Sequence, residues 1–295
     1  MTDRVGRSDL HIHTVASDGT AAVTSVLDRA VALGLDVIAI TDHERIDAAV
    51  AGRAIALDHG LPLEVIVGEE VMTLGGHLLA LDLRAPVRSY RSLRSTIAEV
   101  HDQGALAIPA HPLVPYPLCA QAFVLRRLLD DPDASVHPDA LETFNPTSLG
   151  RPRHATVVRF AAEHGLAQVG NSDAHALDAV GIAWTTFPGH TADDLRAAIV
   201  ARTTRHHGTF HETLGQLGTF REQLRKRGRD ARDEVVGRAR NDGTGRDHGY
   251  PGGRRRPPHY DAGATGAIAA TGAIAATGAA GATGDAGHAD PGGRA

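Results

Sequence analysis

The chain has 295 residues, 42% hydrophobic and 22% charged, with a formal net charge of −5, the profile of a soluble protein of one or two domains. The acidity is uneven: residues 1–225 carry 19 basic and 27 acidic side chains and the remainder 11 and 8, so the body does not read as a nucleic-acid binder working by bulk phosphate neutralisation. A single cysteine, Cys119, excludes an intrachain disulfide or a thiolate cluster, and a single lysine, Lys226, excludes lysine chemistry from the body.

Over residues 1–210 short apolar runs alternate with amphipathic stretches, the pattern of an α/β fold with a mostly parallel sheet. Strands are predicted at 9–13, 36–41, 64–67, 77–81, 106–110, 140–144 and 167–170, with an extra one at 183–187. Helices are predicted at 23–33, 47–58, 92–101, 123–129, 153–163 and 192–201, four of them followed by a glycine (Gly34, Gly60, Gly104, Gly165) suited to a C-terminal cap. About seven strand-helix repeats of this size suggest a barrel rather than an open sheet. Trp184 and Phe187 read as core residues. Residues 211–228 predict a short C-terminal helix. Residues 229–295 predict a disordered low-complexity tail. From Lys226 onward the chain holds 16 of its 33 glycines, four branched aliphatic residues and no leucine, too little apolar surface to offset the entropy of ordering. No run approaches the roughly 18 apolar residues of a membrane span, and the first residues show no apolar signal segment, so a cytoplasmic protein with no membrane contact and no obligatory protein partner is expected.

The histidines carry the functional signal. His11 and His13 close the first predicted strand as His-Ile-His, where a period of two puts both imidazoles on one face. Asp18 follows in the next loop, Asp42 and His43 end the second strand, Glu69 and Glu70 follow the third, and His77 opens the next. His111 ends Ala-Ile-Pro-Ala-His, Glu142 lies on the 140–144 strand, and Asp173 and His175 follow the 167–170 strand. In parallel barrels the strand ends and their loops converge, so imidazoles and carboxylates of the kind that hold Zn, Mn or Fe are expected to share one metal site.

The run Asp9-Leu10-His11-Ile12-His13-Thr14, with Ser17-Asp18-Gly19, Ile40-Thr41-Asp42-His43, Gly68-Glu69-Glu70, Ala110-His111-Pro112 and Ser172-Asp173-Ala174-His175, closely resembles the PHP superfamily, named for polymerase and histidinol phosphatase, over about residues 8–205. The resemblance implies a distorted seven-stranded (β/α) barrel of the small stand-alone phosphoesterase type, covering residues 1–210 as a metal-dependent hydrolase domain. It implies two or three divalent ions (Mn, Zn or Fe). One would be held by His11, His13, Glu70 and Asp173, a second by Glu70, His111 and His77, and a third by Asp18, His43 and His175. Glu70, Asp173 and His175 would be the catalytic residues.

The implied reaction is hydrolysis of a small phosphomonoester, a nucleotide or related compound, by a metal-bridging hydroxide. Arg151, Arg153 and Asn145 are the candidate substrate contacts. Asp42 is expected to accept a bond from a ligand imidazole, and Glu142 either to line the substrate pocket or to make buried hydrogen bonds. Three alternatives stay open on the same fold: a carbamate or aryl-ester hydrolase, a 5'-3' exonuclease-like phosphodiesterase acting on short oligonucleotides, and a non-catalytic metal-binding module. Amidohydrolase-type barrels also open with His-x-His but commonly bridge their metals through a carbamylated lysine, which this body lacks.

Overall fold

A computed structural model describes residues 4–116, 118–147 and 150–210. The expected helix at 211–228 and tail at 229–295 lie outside the described residues. The strands are β1 (Val5–Asp9), β2 (Val37–Ile40), β3 (Glu64–Thr73), β4 (Gly76–Leu81), β5 (Leu106–Pro109), β6 (Ala140–Phe144), β7 (Ala167–Gly170), β8 (Ala183–Pro188) and β9 (Arg205–Gly208). The helices are α1 (Val23–Ala32), α2 (Asp47–Asp58), α3 (Leu93–Asp102), α4 (Ala122–Leu129), α5 (His154–Glu163) and α6 (Ala192–Ala201). All six fall where apolar periodicity predicts them, and each of the four expected glycines stands two residues beyond its helix.

Seven strands form one curled sheet in the order β5-β4-β3-β2-β1-β8-β9, and β6 and β7 pair separately. The sheet is mixed rather than mostly parallel. β1, β2 and β3 run parallel, whereas β4, β5, β8 and β9 join through antiparallel ladders. The cause at β3–β4 is a hairpin: Thr73 pairs with Gly76 across Leu74 and Gly75, where a parallel connection would need a crossover helix. The β6–β7 pair lies between the two edges of this sheet, with β6 beside β5 and β7 beside β9 and β8. Asp139 N donates to Ala107 O, and beyond β1 Ile12 forms a parallel bridge with Ala174 after β7. Strands β1 to β7, with β8 and β9 packed between β1 and β7, thus close a distorted ring.

Strand β1 lies earlier than the 9–13 expected. Its sequence Val-Gly-Arg-Ser-Asp has no apolar alternation because Gly6 lies against Phe187, where a Cβ would come within 2.6 Å of Cζ, and because Ser8 is buried. His11 and His13 therefore sit in the extended segment just past the strand. β9, Arg-His-His-Gly, is an edge strand with no apolar signal at all. Every residue of β2 (Val-Ile-Ala-Ile) is buried, as expected for a strand covered on both faces. One core cluster packs Ile38, Ile40, Val65 and Val67 with α1, α2 and α3, and a second joins Leu10, Val37, Leu79, Ile108, Val169 and Phe187 with α6. Phe187 is a core residue as expected. Trp184 is partly buried, between His207 and the Arg7 guanidinium.

Candidate metal centre

The topology gathers the motif residues at one end of the ring. β1, β2 and β5 deliver His11, His13, His43 and His111 just past their C-terminal ends, β3 carries Glu70 within its C-terminal half, and β7 is followed by Asp173 and His175. β4 runs the other way, so its first turn reaches the same end and His77 opens the strand instead of closing it. His11 and His13 form the floor, at 0% and 1% exposure. His43, His111 and His175 are more open, forming the solvent side.

Glu70 is the hub. Its Oε2 lies 3.2 Å from His11 Nε2, 3.1 Å from His13 Nε2 and 3.4 Å from His43 Nδ1. Its Oε1 lies 2.7 Å from His77 Nδ1 and 3.2 Å from His111 Nε2. Asp173 Oδ1 stands 3.3 Å from His11 Nε2 and 3.5 Å from both His13 Nε2 and His175 Nδ1. Asp18 joins His13, His43 and His175 at 3.5, 3.8 and 3.2 Å. Three groups hold donor atoms within 4.8 Å of one another: His13, Asp18, His43 and His175; His11, His13 and Glu70; and His43, Glu70 and His77.

This donor set fits divalent cations. The Nε2 atoms of His11 and His13 face each other at 3.1 Å while both face Glu70 Oε2, a convergence that a shared cation satisfies and a single proton does only in part. His43 Nδ1, His77 Nε2 and Asp173 Oδ1 are buried with no hydrogen-bond partner among the described residues.

The electrostatics agree. Burial opposes a charged ring at His11, but the Asp173, Glu70 and Glu142 carboxylates outweigh it and hold His11 well above the usual histidine range. Against the same burial, Asp173 and Glu70 push His13 up to about 10. Glu70 and Asp173, despite burial, are held well below the carboxylate range by the surrounding imidazoles. His43 is brought down to about 4, chiefly by burial. The site attracts positive charge, so protons and divalent cations compete for the same nitrogens.

Backbone strain accompanies the site. His111 and Asp173 have φ of +31° and +51°, a region that costs non-glycine residues about 1–3 kcal/mol each. His111 is held by its own N–H, which donates to Glu142 Oε2 at 2.6 Å. Asp173 is flanked by Ser172, bound through N and Oγ to Asp9, and by Ala174 N, which donates to His11 O.

Several supporting roles differ from expectation. Asp42 touches no imidazole among its hydrogen bonds; it accepts from Thr14 N, Thr14 Oγ1, Ser17 N and Ser17 Oγ and so shapes the loop that carries Asp18. The imidazole-orienting carboxylate is Glu142, whose Oε1 lies 3.0 Å from His11 Nδ1 and also accepts from Asn171 Nδ2. Glu142 is therefore the buried hydrogen-bonding residue of the two roles open to it. Asn145 spends its amide on Glu142 Oε2 and Asp173 Oδ2 and accepts from Thr147 N. Arg151 and Arg153 are exposed on a short 3-10 turn and make no hydrogen bond or ion pair with the cluster among the described residues. The Arg151 guanidinium stands over Phe210 instead. Glu69, on the other face of β3, accepts from Val87 N, and burial raises its carboxyl to about 8. Asp9, Asn171, Ser172 and Cys119 were not foreseen as supports. Asp9 opens the first histidine motif and Asn171 and Ser172 precede Asp173, so adjacency was the available signal.

Comparison with known proteins matches two parts of the described chain. A PHP domain family model matches residues 9–112 and a PHP-associated model matches residues 152–204. The chain is 31% identical over 150 residues to the uncharacterised protein MJ1587 of Methanocaldococcus jannaschii, an alignment that spans 47% of this chain and 81% of that one. A 66-residue stretch is 41% identical to the 5'-3' exoribonuclease Rnm of Salmonella typhimurium, 22% of each chain. Among solved structures, a two-domain Bacteroides vulgatus protein containing a predicted PHP-like metal-dependent phosphoesterase superposes with a TM-score of 0.58 at 19% identity, covering 76% of this chain and 70% of that one. PsfC from Pseudomonas syringae superposes with a TM-score of 0.54 at 19% identity, covering 75% and 98%. The two family models together span most of the described residues, and the 31% identity covers 81% of the MJ1587 protein; the chain belongs to the PHP family.

Proposed function

We propose that this chain is a metal-dependent phosphoesterase that hydrolyses a small phosphomonoester, a nucleotide or related compound. The observation that carries the reading is the two-sided contact of Glu70, one oxygen toward His11, His13 and His43 and the other toward His77 and His111. A carboxylate so placed would be suited to hold two ions. Glu70 would share one ion with His11, His13 and Asp173 and a second with His77 and His111, while Asp18, His43 and His175 would hold a third. Such ions, of the Mn, Zn or Fe kind, supply Lewis acidity toward phosphoryl oxygens and a water acidic enough to attack near neutral pH.

The chain's own residues do the positioning. His11 and His13, fully buried, exclude water from the floor. Glu142 keeps the His11 proton on Nδ1 and its Nε2 turned to the cluster. His43, His111 and His175 leave the solvent side open to a phosphoryl group, and His175, 3.2 Å from Asp18 and 2.9 Å from the Asp173 carbonyl, would stand beside the leaving oxygen. Arg151 and Arg153, exposed on the short turn beyond Asn145, would be the substrate contacts.

A second reading, a 5'-3' exonuclease-like phosphodiesterase on short oligonucleotides, is favoured by the local similarity to Rnm, and the acidic body weighs against long nucleic acid. A cytoplasmic setting belongs to the same proposal; among the described residues no helix is long and apolar enough to cross a membrane. The test is a panel of mononucleotides, 3',5'-nucleotide bisphosphates, short RNA and aryl carbamates, run on chelated and metal-reloaded protein. Turnover of a monoester that disappears in Glu70→Gln supports the proposal. Turnover of carbamates with no phosphoester cleaved overturns it.

A further inference from the structure

An imidazole that ligates through Nε2 must keep its proton on Nδ1, and a neighbouring acceptor usually fixes it there. His11 has Glu142 for this and His175 has the Asp173 carbonyl. His111 turns Nε2 toward Glu70 Oε1 at 3.2 Å, and its Nδ1 faces the Cys119 sulfur at 3.2 Å. Among the described residues that sulfur is the only hydrogen-bond partner of His111 Nδ1.

Cys119 is buried, at 6% exposure, and its position is closely determined. Its N–H donates to Tyr116 O and its carbonyl accepts from Gln121 Nε2. Beneath it passes Gly76, at φ +119°, where a Cβ would come within 2.3 Å of Ala120 N and 2.8 Å of Cys119 C. The preceding residue also enters the site: Leu118 O accepts from His77 N at 2.9 Å. One short segment thus holds both His77 and His111, the histidines on the Oε1 side of Glu70. Beside them His77 Nε2 is buried without a hydrogen-bond partner.

We propose that Cys119 is a positioning residue: its sulfur accepts the His111 Nδ1 proton, fixes that tautomer and presents Nε2 to the ion shared by Glu70, His77 and His111. The proposal rests on the metal-centre reading above. If instead the thiol donated to Nδ1, the ring proton would sit on Nε2 and His111 could not ligate.

The test is a long-range proton–nitrogen NMR spectrum of histidine-labelled, Zn-loaded protein, read together with Zn titrations of the native chain, Cys119→Ala and Cys119→Ser. The native His111 ring is expected to carry its proton on Nδ1. Cys119→Ala is expected to weaken one class of Zn site about 10-fold or more, within the range for loss of a ligand's outer partner, and to leave the others unchanged. Cys119→Ser, which restores an acceptor, is expected to recover part of that loss. An Nε2-protonated His111 in the native Zn form overturns the proposal without any variant. So does equal Zn binding by all three proteins, or an equal weakening of every site in both variants, which would mean that sulfur only fills space. If the native protein takes up no Zn, the metal-centre reading itself falls, an outcome distinct from a native protein that binds Zn and is indifferent to residue 119.

Discussion

Replacing Glu142 by Gln would exchange one heavy atom with almost no change of volume, yet the geometry predicts a specific failure. Both carboxylate oxygens only accept: Oε1 faces His11 Nδ1 at 3.0 Å and Asn171 Nδ2 at 2.9 Å, and Oε2 faces His111 N at 2.6 Å and Asn145 Nδ2 at 3.1 Å. A glutamine has one acceptor and one donor. The His111 backbone N–H cannot become an acceptor, so the amide oxygen must turn to it and the amide N–H₂ must face His11. His11 Nδ1 then has to accept, its proton moves to Nε2, and that nitrogen can no longer offer a lone pair to the cluster. Loss of a ligand's outer partner costs roughly 10–100-fold in metal affinity, or about 1.4–2.7 kcal/mol. Competition titration of Zn or Mn against a chromogenic chelator measures it, with thermal unfolding as the control for global damage. Affinity within twofold of the native value would refute the argument that Glu142 sets the His11 tautomer.

Metal loading should release protons, because His11, His13 and His111 all lie above the histidine range without an ion; apparent affinity should therefore fall as pH falls, and a calorimetric titration in buffers of different ionisation enthalpy shows whether protons leave. Glu69→Gln should stabilise the protein. A buried carboxyl raised to about 8 binds its proton more tightly folded than unfolded, so the native chain loses stability as pH rises from about 4.5 toward 8; the variant's advantage in denaturant melts should grow across that window and level off above it, and an advantage that shrinks with pH would contradict the sign. Gly76→Ala should displace the segment that supports His77 and His111. A Cβ 2.3 Å from Ala120 N has no room to form, and a lowered melting temperature with weakened Zn binding is expected; an unchanged pair of values would show the crossing to be looser than described.

Much of the site was legible before the fold was known because its residues come in local patterns. His11 and His13 are two apart in extended backbone, Asp42 and His43 follow an apolar strand, and Glu70, His111, Asp173 and His175 each follow a strand-like run, so topology alone brings them together. The six helices were equally plain, since each buries one apolar stripe. What local pattern could not show was how contacts are shared between distant segments. Whether Glu142 faced substrate or supported the core depended on Asn171 and His111 arriving from other strands. Asp42, next to His43 in sequence, binds the loop before Asp18 and not a ligand ring, because the nearest donors are the Thr14 and Ser17 amides and hydroxyls. Strand β1 begins four residues before the expected start because Gly6 and Ser8 carry no hydrophobic signal, and an apolar run common to both strand directions hides the antiparallel turn at Leu74 and Gly75.

The most direct test is the metal content and hydrolytic activity of the same purified sample, before and after chelation and reloading. A site bridged by Glu70 predicts two or three Mn, Zn or Fe ions per chain, phosphomonoester turnover that vanishes with chelation and returns with metal, and neither uptake nor turnover at native levels in Glu70→Gln. A chain that hydrolyses phosphomonoesters equally well without metal, or that binds its ions fully in Glu70→Gln, would contradict it.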